Sequence, residues 1–326
     1  MRYFLTGASG FVGGQVARQL VKAGHQVAAV VRDPHKASDL AGLGLELYQG
    51  DVTEKESMRA PMTGADGVFH IAGWYKIGAR DTSPAWPVNL EGTRNVLELM
   101  RELHIPKGVY TSTLAINSDT GGRQVNENYR FRGEHLSLYD RTKAEAHALA
   151  EEFIRAGLPL VIVQPGLVYG PGDTSAFRVA LLQYLRRRLP LLPQKTAYSW
   201  GYIEDVAQGH ILAMQKGVAG QNYFICGPSH TLIEAMQIAE SISGVPAPRL
   251  HAPPGMLKAA SGLMGIVGKV VPLPETYTRE GLRITAGVTY LGDNAKARRE
   301  LGYAPRSLEA GLRVTLAHEM HLLGMR

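Results

Sequence analysis

A doubly wound α/β fold on a parallel sheet is what this sequence predicts, and two observations carry the prediction. Short apolar runs recur, each followed by a glycine or polar turn and then a longer stretch with helical spacing. The chain also opens on such a run and passes at once into three evenly spaced glycines, Gly7, Gly10 and Gly13. With 326 residues, 45% of them hydrophobic, it can bury a large core as one elaborated α/β domain or two modest ones.

The strands read in order are Tyr3-Phe4-Leu5, Gln26 to Val31, Leu45 to Tyr48, Gly67 to Ile71, Lys107 to Thr111 and Leu160 to Gln164. Helices between them begin near Gly10, Glu54, Asn89 and Ser137. Asn89 and Ser137 are read as N-caps, since a short polar side chain can accept a free first-turn amide. Past Gly170 the pattern changes: Pro171-Gly172-Asp173 is a turn, and the helical stretch Ala176 to Arg188 stops at Leu189-Pro190. Tyr202 to Gly217 and Asn222 to Cys226 then read as a helix and a strand that return to the sheet. Thr231 and Glu234 form a capping box opening a helix toward Gly244. Residues 1–168, with 199–227 returning, are therefore assigned to a dinucleotide-binding domain. Residues 169–198 and 228–326 are assigned to a smaller C-terminal substrate-binding region.

The turn Gly7-Ala8-Ser9-Gly10-Phe11-Val12-Gly13 lies between the first strand and an amphipathic helix, where small residues let backbone amides approach a pyrophosphate at the helix N-terminus. In the Rossmann arrangement an acidic residue ending the second strand holds the ribose 2′-hydroxyl of NAD. This chain has Val31-Arg32 there. A guanidinium matches a 2′-phosphate, so Arg32, with Lys36 close behind, points to NADP over NAD, while Asp33 remains a possible acceptor for a ribose hydroxyl. Asp51 and Val52 after the third strand are placed beside the adenine, and Ala72 and Gly73 after the fourth line the cofactor path.

Tyr139 and Lys143 stand four apart at the start of a helix and so share a face; an ammonium there favours the phenolate and turns the tyrosine into a proton carrier. The fifth strand ends at Thr111-Ser112-Thr113, where the hydroxyl of Thr113 or that of Ser112 can hold a carbonyl oxygen, or else cap the turn.

Taken together, Thr6-Gly7-x-x-Gly10-x-x-Gly13, Asn89-x-x-Gly92-Thr93, Thr111-Ser112-Thr113, Tyr139-x-x-x-Lys143, Pro165-Gly166-x-Val168-Tyr169-Gly170-Pro171-Gly172, Tyr202-x-x-Asp205-Val206-Ala207 and Leu301-Gly302-Tyr303-x-Pro305 resemble the extended short-chain dehydrogenase/reductases of the NAD-dependent epimerase/dehydratase group over nearly the whole chain. The resemblance implies that Tyr139 moves the proton, Lys143 holds the nicotinamide ribose, Thr113 orients the substrate oxygen, and Pro165 and Gly166 flank the nicotinamide. It also implies a homodimer through a four-helix bundle of the helices near Asn89 and Tyr139. Gln164 stands where the family often has arginine. Leu167 stands where nucleotide-sugar enzymes carry asparagine, which makes the chain more similar to the dihydroflavonol-reductase and hydroxysteroid-dehydrogenase branch. The expected activity is NADP-dependent reduction of a ketone or aldehyde, or oxidation of the alcohol, on a largely apolar small molecule. The alternatives are a nucleotide-sugar epimerase or dehydratase that keeps its cofactor, and a non-catalytic NADP sensor.

Composition narrows the partners. A net charge of +6 and 7% aromatic residues give no basic, aromatic-interleaved face for nucleic acid. One cysteine, Cys226, permits no internal disulfide, and Met1 to Leu5 runs directly into the glycine turn without a signal-peptide core, so a cytoplasmic setting is expected. His318-Glu319-Met320-His321 lacks zinc-protease spacing and no metal is expected. Between Lys258 and Lys269 lies an uncharged stretch too short to span a bilayer. It is either interfacial or packed over the substrate pocket; the second is the reading adopted, with Met256 to Leu273 as an apolar wall.

Overall fold

The computed structural model describes residues 1–268, 271 and 277–325. The expected apolar wall therefore runs partly outside the described residues, at 269, 270, 272 and 273. Among the described residues no helix is long and apolar enough to cross a membrane.

Seven parallel strands form the central sheet: β1 (Arg2–Thr6), β2 (Gln26–Val31), β3 (Glu46–Gln49), β4 (Gly67–His70), β5 (Gly108–Thr111), β6 (Leu160–Pro165) and β10 (Asn222–Ile225). Their spatial order is β10-β6-β5-β4-β1-β2-β3. The reversal between β1 and β4 opens a crevice at the strands' C-terminal ends, the position where doubly wound sheets bind nucleotides. Both faces are covered, which is why the strands read as apolar runs and not as alternating ones. On one face Leu5, Ala29 and Val163 meet α1 (Phe11–Lys22), α7 (Ile203–Lys216) and α11 (Ala295–Leu301). On the other, Phe4, Val68 and Ile162 meet α3 (Lys55–Met62), α4 (Gly92–Glu102) and α5 (Leu138–Arg155). The short α2 (Ser38–Gly42) leads into β3.

A smaller sheet stands at the crevice. It comprises β7 (Leu167–Tyr169), β9 (Ala197–Tyr202), β11 (Ser229–Thr231) and β13 (Thr289–Tyr290), with β9 paired to all three others. Trp200 and Tyr169 pack edge-to-face and, with α6 (Ala176–Leu185), α8 (Leu232–Ser243) and α12 (Leu308–Leu322), close a second core. A two-residue pair, β8 (Leu192–Pro193) with β12 (His251–Ala252), precedes the helical hairpin α9 (Pro254–Val267) and α10 (Arg279–Thr285). The capping box at Thr231 and Glu234 is present in full, and α8 ends on the left-handed Gly244.

Asn89 is not an N-cap. The chain already turns helically at Trp86, and Asn89 sits inside a π-turn, Pro87–Glu91, that runs straight into α4. With helical backbone on both sides, its amide points sideways into the site. Ser137 does cap α5, its hydroxyl accepting from the Asp140 amide at 3.0 Å.

Candidate active site

The glycine turn is held by contacts that admit no side chain. Gly7 has φ +78°, and a Cβ there would meet the Ala72 nitrogen at 2.6 Å; one on Gly13 would meet the Gly7 carbonyl oxygen at 2.1 Å. The cradle is thus drawn against the end of β4, with Ser9, Gly10, Phe11 and Val12 at its lip. Helix α1 has no side-chain cap and no acid in its first turn, so its leading amides and positive dipole end face the crevice. This donor set fits a dinucleotide pyrophosphate.

Beyond β2, Arg32 is exposed, and among the described residues it makes no ion pair. Asp33 is committed elsewhere: its carboxylate accepts from the amides of His35 and Lys36 and lies 3.3 Å from the Lys36 ammonium. Of the three residues, Arg32 is therefore the one left open to a ribose substituent. Asp51 is tied into a local turn by Thr53, while Val52 is buried against Gly92.

A buried polar relay connects the cradle to the space between α4 and α5. Thr6 Oγ1 accepts from the amides of Ile71 and Ala72 and lies 2.8 Å from His70 Nδ1. Having accepted twice, this hydroxyl gives its proton to Nδ1. His70 Nε2 then carries the ring hydrogen and donates to Thr93 Oγ1 at 3.0 Å, and Thr93 donates to the Asn89 carbonyl at 2.6 Å. Burial, reinforced by the Lys143 charge, pushes His70 down to about 3, so the ring stays neutral. It stacks on Tyr110, whose phenol oxygen accepts from Lys143 Nζ at 3.0 Å.

Lys143 is buried and also donates to the Thr111 carbonyl at 2.8 Å. Desolvation lowers its ammonium to about 7. The space beside Gly73 is shared by this ammonium and Asn89 Oδ1: a Cβ on Gly73 would lie 4.0 Å from the first and 3.4 Å from the second. Asn89 holds the neighbouring chain in place, accepting from the Trp74 amide and donating to the Trp74 carbonyl and Thr142 Oγ1.

Tyr139 stands one turn before Lys143. Burial raises its phenol to about 12, against the opposing pull of a hydrogen bond with Thr113. Desolvation thus outweighs any lowering by the ammonium, which is engaged with Tyr110 and Thr111. Of the two candidate hydroxyls, that of Ser112 is engaged with His147 Nδ1 at 2.9 Å. Thr113 also caps the following turn through the Ala115 amide, as the second sequence reading of this side chain expects.

Farther along the sheet, Pro165 ends β6 and Gly166 passes the Ser199 carbonyl so closely that a Cβ would stand 2.0 Å from it. Gln164 is buried with its Oε1 unpartnered. The smaller sheet brings Tyr290, whose hydroxyl donates to Asp140 at 3.3 Å, and Tyr198, stacked on Tyr290. Glu280 of α10 accepts from the amide of Leu138, the residue before Tyr139, at 2.5 Å and from that of Gly78 at 2.7 Å. It bolts the helical hairpin onto the N-terminus of α5. His70, Tyr110 and Glu280 escaped the sequence reading, and Asn89 reads there as a cap, because residues that meet only across distant elements leave no periodic signal.

A glycine cradle at the β1/β4 crevice with a tyrosine, lysine and threonine converging beside it defines a dinucleotide-dependent enzyme of the short-chain dehydrogenase/reductase type. The sequence profile of the NAD dependent epimerase/dehydratase family matches residues 3–226, and the chain belongs to that family. It is 30% identical over 322 residues to a putative dihydroflavonol 4-reductase of Synechocystis sp., covering 95% of this chain and 92% of the relative. It is likewise 30% identical over 315 residues to the 4-hydroxy-2-methyl-3-oxo-4-farnesyl-3,4-dihydroquinoline-1-oxide ketoreductase of Stigmatella aurantiaca, covering 94% and 92%. The crystal structure of gox2253 superposes with a TM-score of 0.86 at 27% identity, over 99% of both chains.

Proposed function

We propose that the protein is an NADP-dependent reductase of a ketone or aldehyde on a largely apolar small molecule, the reverse oxidation being the same chemistry run backward. The carrying observation is Tyr139 hydrogen-bonded with Thr113, one helical turn from a buried Lys143 that faces Gly73 at the crevice. When bound, the nicotinamide supplies or accepts the hydride. Thr113 and Tyr139 present two hydroxyls to the substrate oxygen. A phenol held protonated at neutral pH is ready to donate, which suits the reduction direction. Lys143 is the residue to hold the nicotinamide ribose, with Pro165 and Gly166 beside the ring. Arg32 favours NADP by offering a guanidinium to a 2′-phosphate while Asp33 is occupied. The apolar substrate is supported by Leu167 in place of a polar residue and by likeness to a ketoreductase of a farnesylated quinoline.

The test is titration of the purified protein with NADPH and NADH by nicotinamide fluorescence, then a screen of apolar ketones and aldehydes for net NADPH consumption. Tighter NADPH binding with stoichiometric turnover is expected. Tighter NADH binding would remove the assignment to NADP. A substrate converted without net cofactor change would identify an epimerase or dehydratase, and binding with no conversion of any substrate would favour a sensor.

A further inference from the structure

Among the described residues, six of the thirteen exposed large hydrophobic side chains fall within the stretch 250 to 277: Leu250, Met256, Leu263, Ile266, Val271 and Tyr277. Helix α9 is the centre of this patch. It buries only Leu257 and Ser261. Its exposed residues are Gly255, Met256, Lys258, Ala259, Gly262, Leu263 and Ile266, with Lys258 the one charge among them, at the edge of the outward side. Ile266 is 68% exposed and Leu263 57%, high values for such side chains on a face otherwise made of Met256 and small residues.

Up to Glu275 the charged residues around the helix are cations, of which Arg249 is paired with Glu240 at 2.8 Å. No acidic residue occurs in the sequence between Glu240 and Glu275, a segment that carries Arg249, Lys258 and Lys269. Lys258 makes no ion pair among the described residues. Arg279 runs along α9 at Gly265 and is exposed, while Glu280, the first acid of α10, is turned inward onto the Leu138 and Gly78 amides.

We infer that the outward face of α9 docks on an anionic lipid surface, lying flat in the headgroup layer with Lys258 and Arg279 at its edges. An apolar helical face bordered by cations is the pattern of interfacial helices. Fourteen residues span about 21 Å of helix, too short to cross a bilayer and ample to lie along one. A second copy of the chain fits less well. One helix face offers a few hundred Å² against the roughly 1,200 Å² of a stable interface, and two-fold pairing would bring like charges together. Because α10 is bonded to the residue before Tyr139, the docked hairpin would sit directly over the catalytic helix.

The test is co-sedimentation of the full chain with vesicles of phosphatidylglycerol mixed in phosphatidylcholine, against vesicles of phosphatidylcholine alone, with light scattering to follow oligomeric state. No substrate is needed, so this test fails or succeeds independently of the proposed reductase activity. Binding only to the phosphatidylglycerol vesicles is expected, falling about tenfold or more in Leu263→Glu/Ile266→Glu and weakening with added salt. NADPH titration of the variant is expected to match the parent, which separates loss of docking from loss of fold. The proposal is overturned by absence of binding to either vesicle, by equal binding to phosphatidylcholine alone, or by undiminished binding of the double variant. It is overturned as well if the substitutions instead convert a dimer into monomers.

Discussion

At Tyr139 two opposing effects decide what the side chain can do. Burial holds the phenol at about 12, while the Thr113 hydrogen bond pulls the other way, so near neutrality it is an acid and not a phenolate. Tyr139→Phe removes the transferable proton and keeps the ring. NADPH reduction of the carbonyl substrate found by screening is expected to slow about 10²- to 10⁴-fold in kcat, with the cofactor dissociation constant nearly unchanged; stopped-flow traces and fluorescence titration measure the two separately. Loss of both together would mean a structural tyrosine. Arg32 is the counterpart for the cofactor. A charge-assisted bond to a phosphate contributes about 1.5–3 kcal/mol, so Arg32→Ala is expected to weaken NADPH about 10- to 100-fold and leave NADH unaffected. Equal weakening of both would assign Arg32 to the turn and not to the phosphate.

Helix α5 shows how an element carries site chemistry and stability at once. One residue past Tyr139, Asp140 is buried between Ser137 and Tyr290, and desolvation raises its carboxyl to about 7, the hydrogen bonds from those neighbours opposing the shift and Glu280 adding to it. A group whose folded value lies above its unfolded value favours the fold when protonated. That contribution is fully present below about 4 and is lost as pH rises toward about 7. Asp140→Asn keeps the shape and removes the titration. Thermal melts from acid to mildly alkaline pH are expected to show the variant gaining on the parent by a few kcal/mol across that window. Parallel curves would show that Asp140 is ionised in the folded protein. The same helix explains what the sequence could disclose. Tyr139, Lys143 and the Ser137 cap are local, all within six residues of one another. Tyr290 and Tyr110 reach the helix from distant strands and Glu280 from α10, and Asn89 reads as a cap although helical backbone already precedes it at Trp86.

On the scale of the whole molecule, the parallel sheet was legible because every strand buried on both faces must be apolar throughout. The second sheet was not, because β11 and β13 are only three and two residues long and gain order from Trp200 and Tyr198 rather than from any pattern of their own. Pairing of two copies through α4 and α5 is the assembly the family resemblance implies, and the outward faces of these helices set its strength. On α5 that side carries Arg141, Glu145, Ala148 and Glu152, and on α4 it carries Arg101 and Glu102; neither helix presents a large exposed hydrophobic residue. Obligate dimers rest on larger and more apolar contacts, so we propose that such a pairing would belong to the weak, polar class. Sedimentation velocity is expected to show a dimer that dissociates on dilution through the micromolar range and dissociates sooner in high salt, because screening acts on charges at the rim. Ala148→Arg, which adds bulk and a cation at the centre of that face, is expected to give a monomer that still binds NADPH. A dimer that survives both dilution and this substitution would place the contact elsewhere on the molecule.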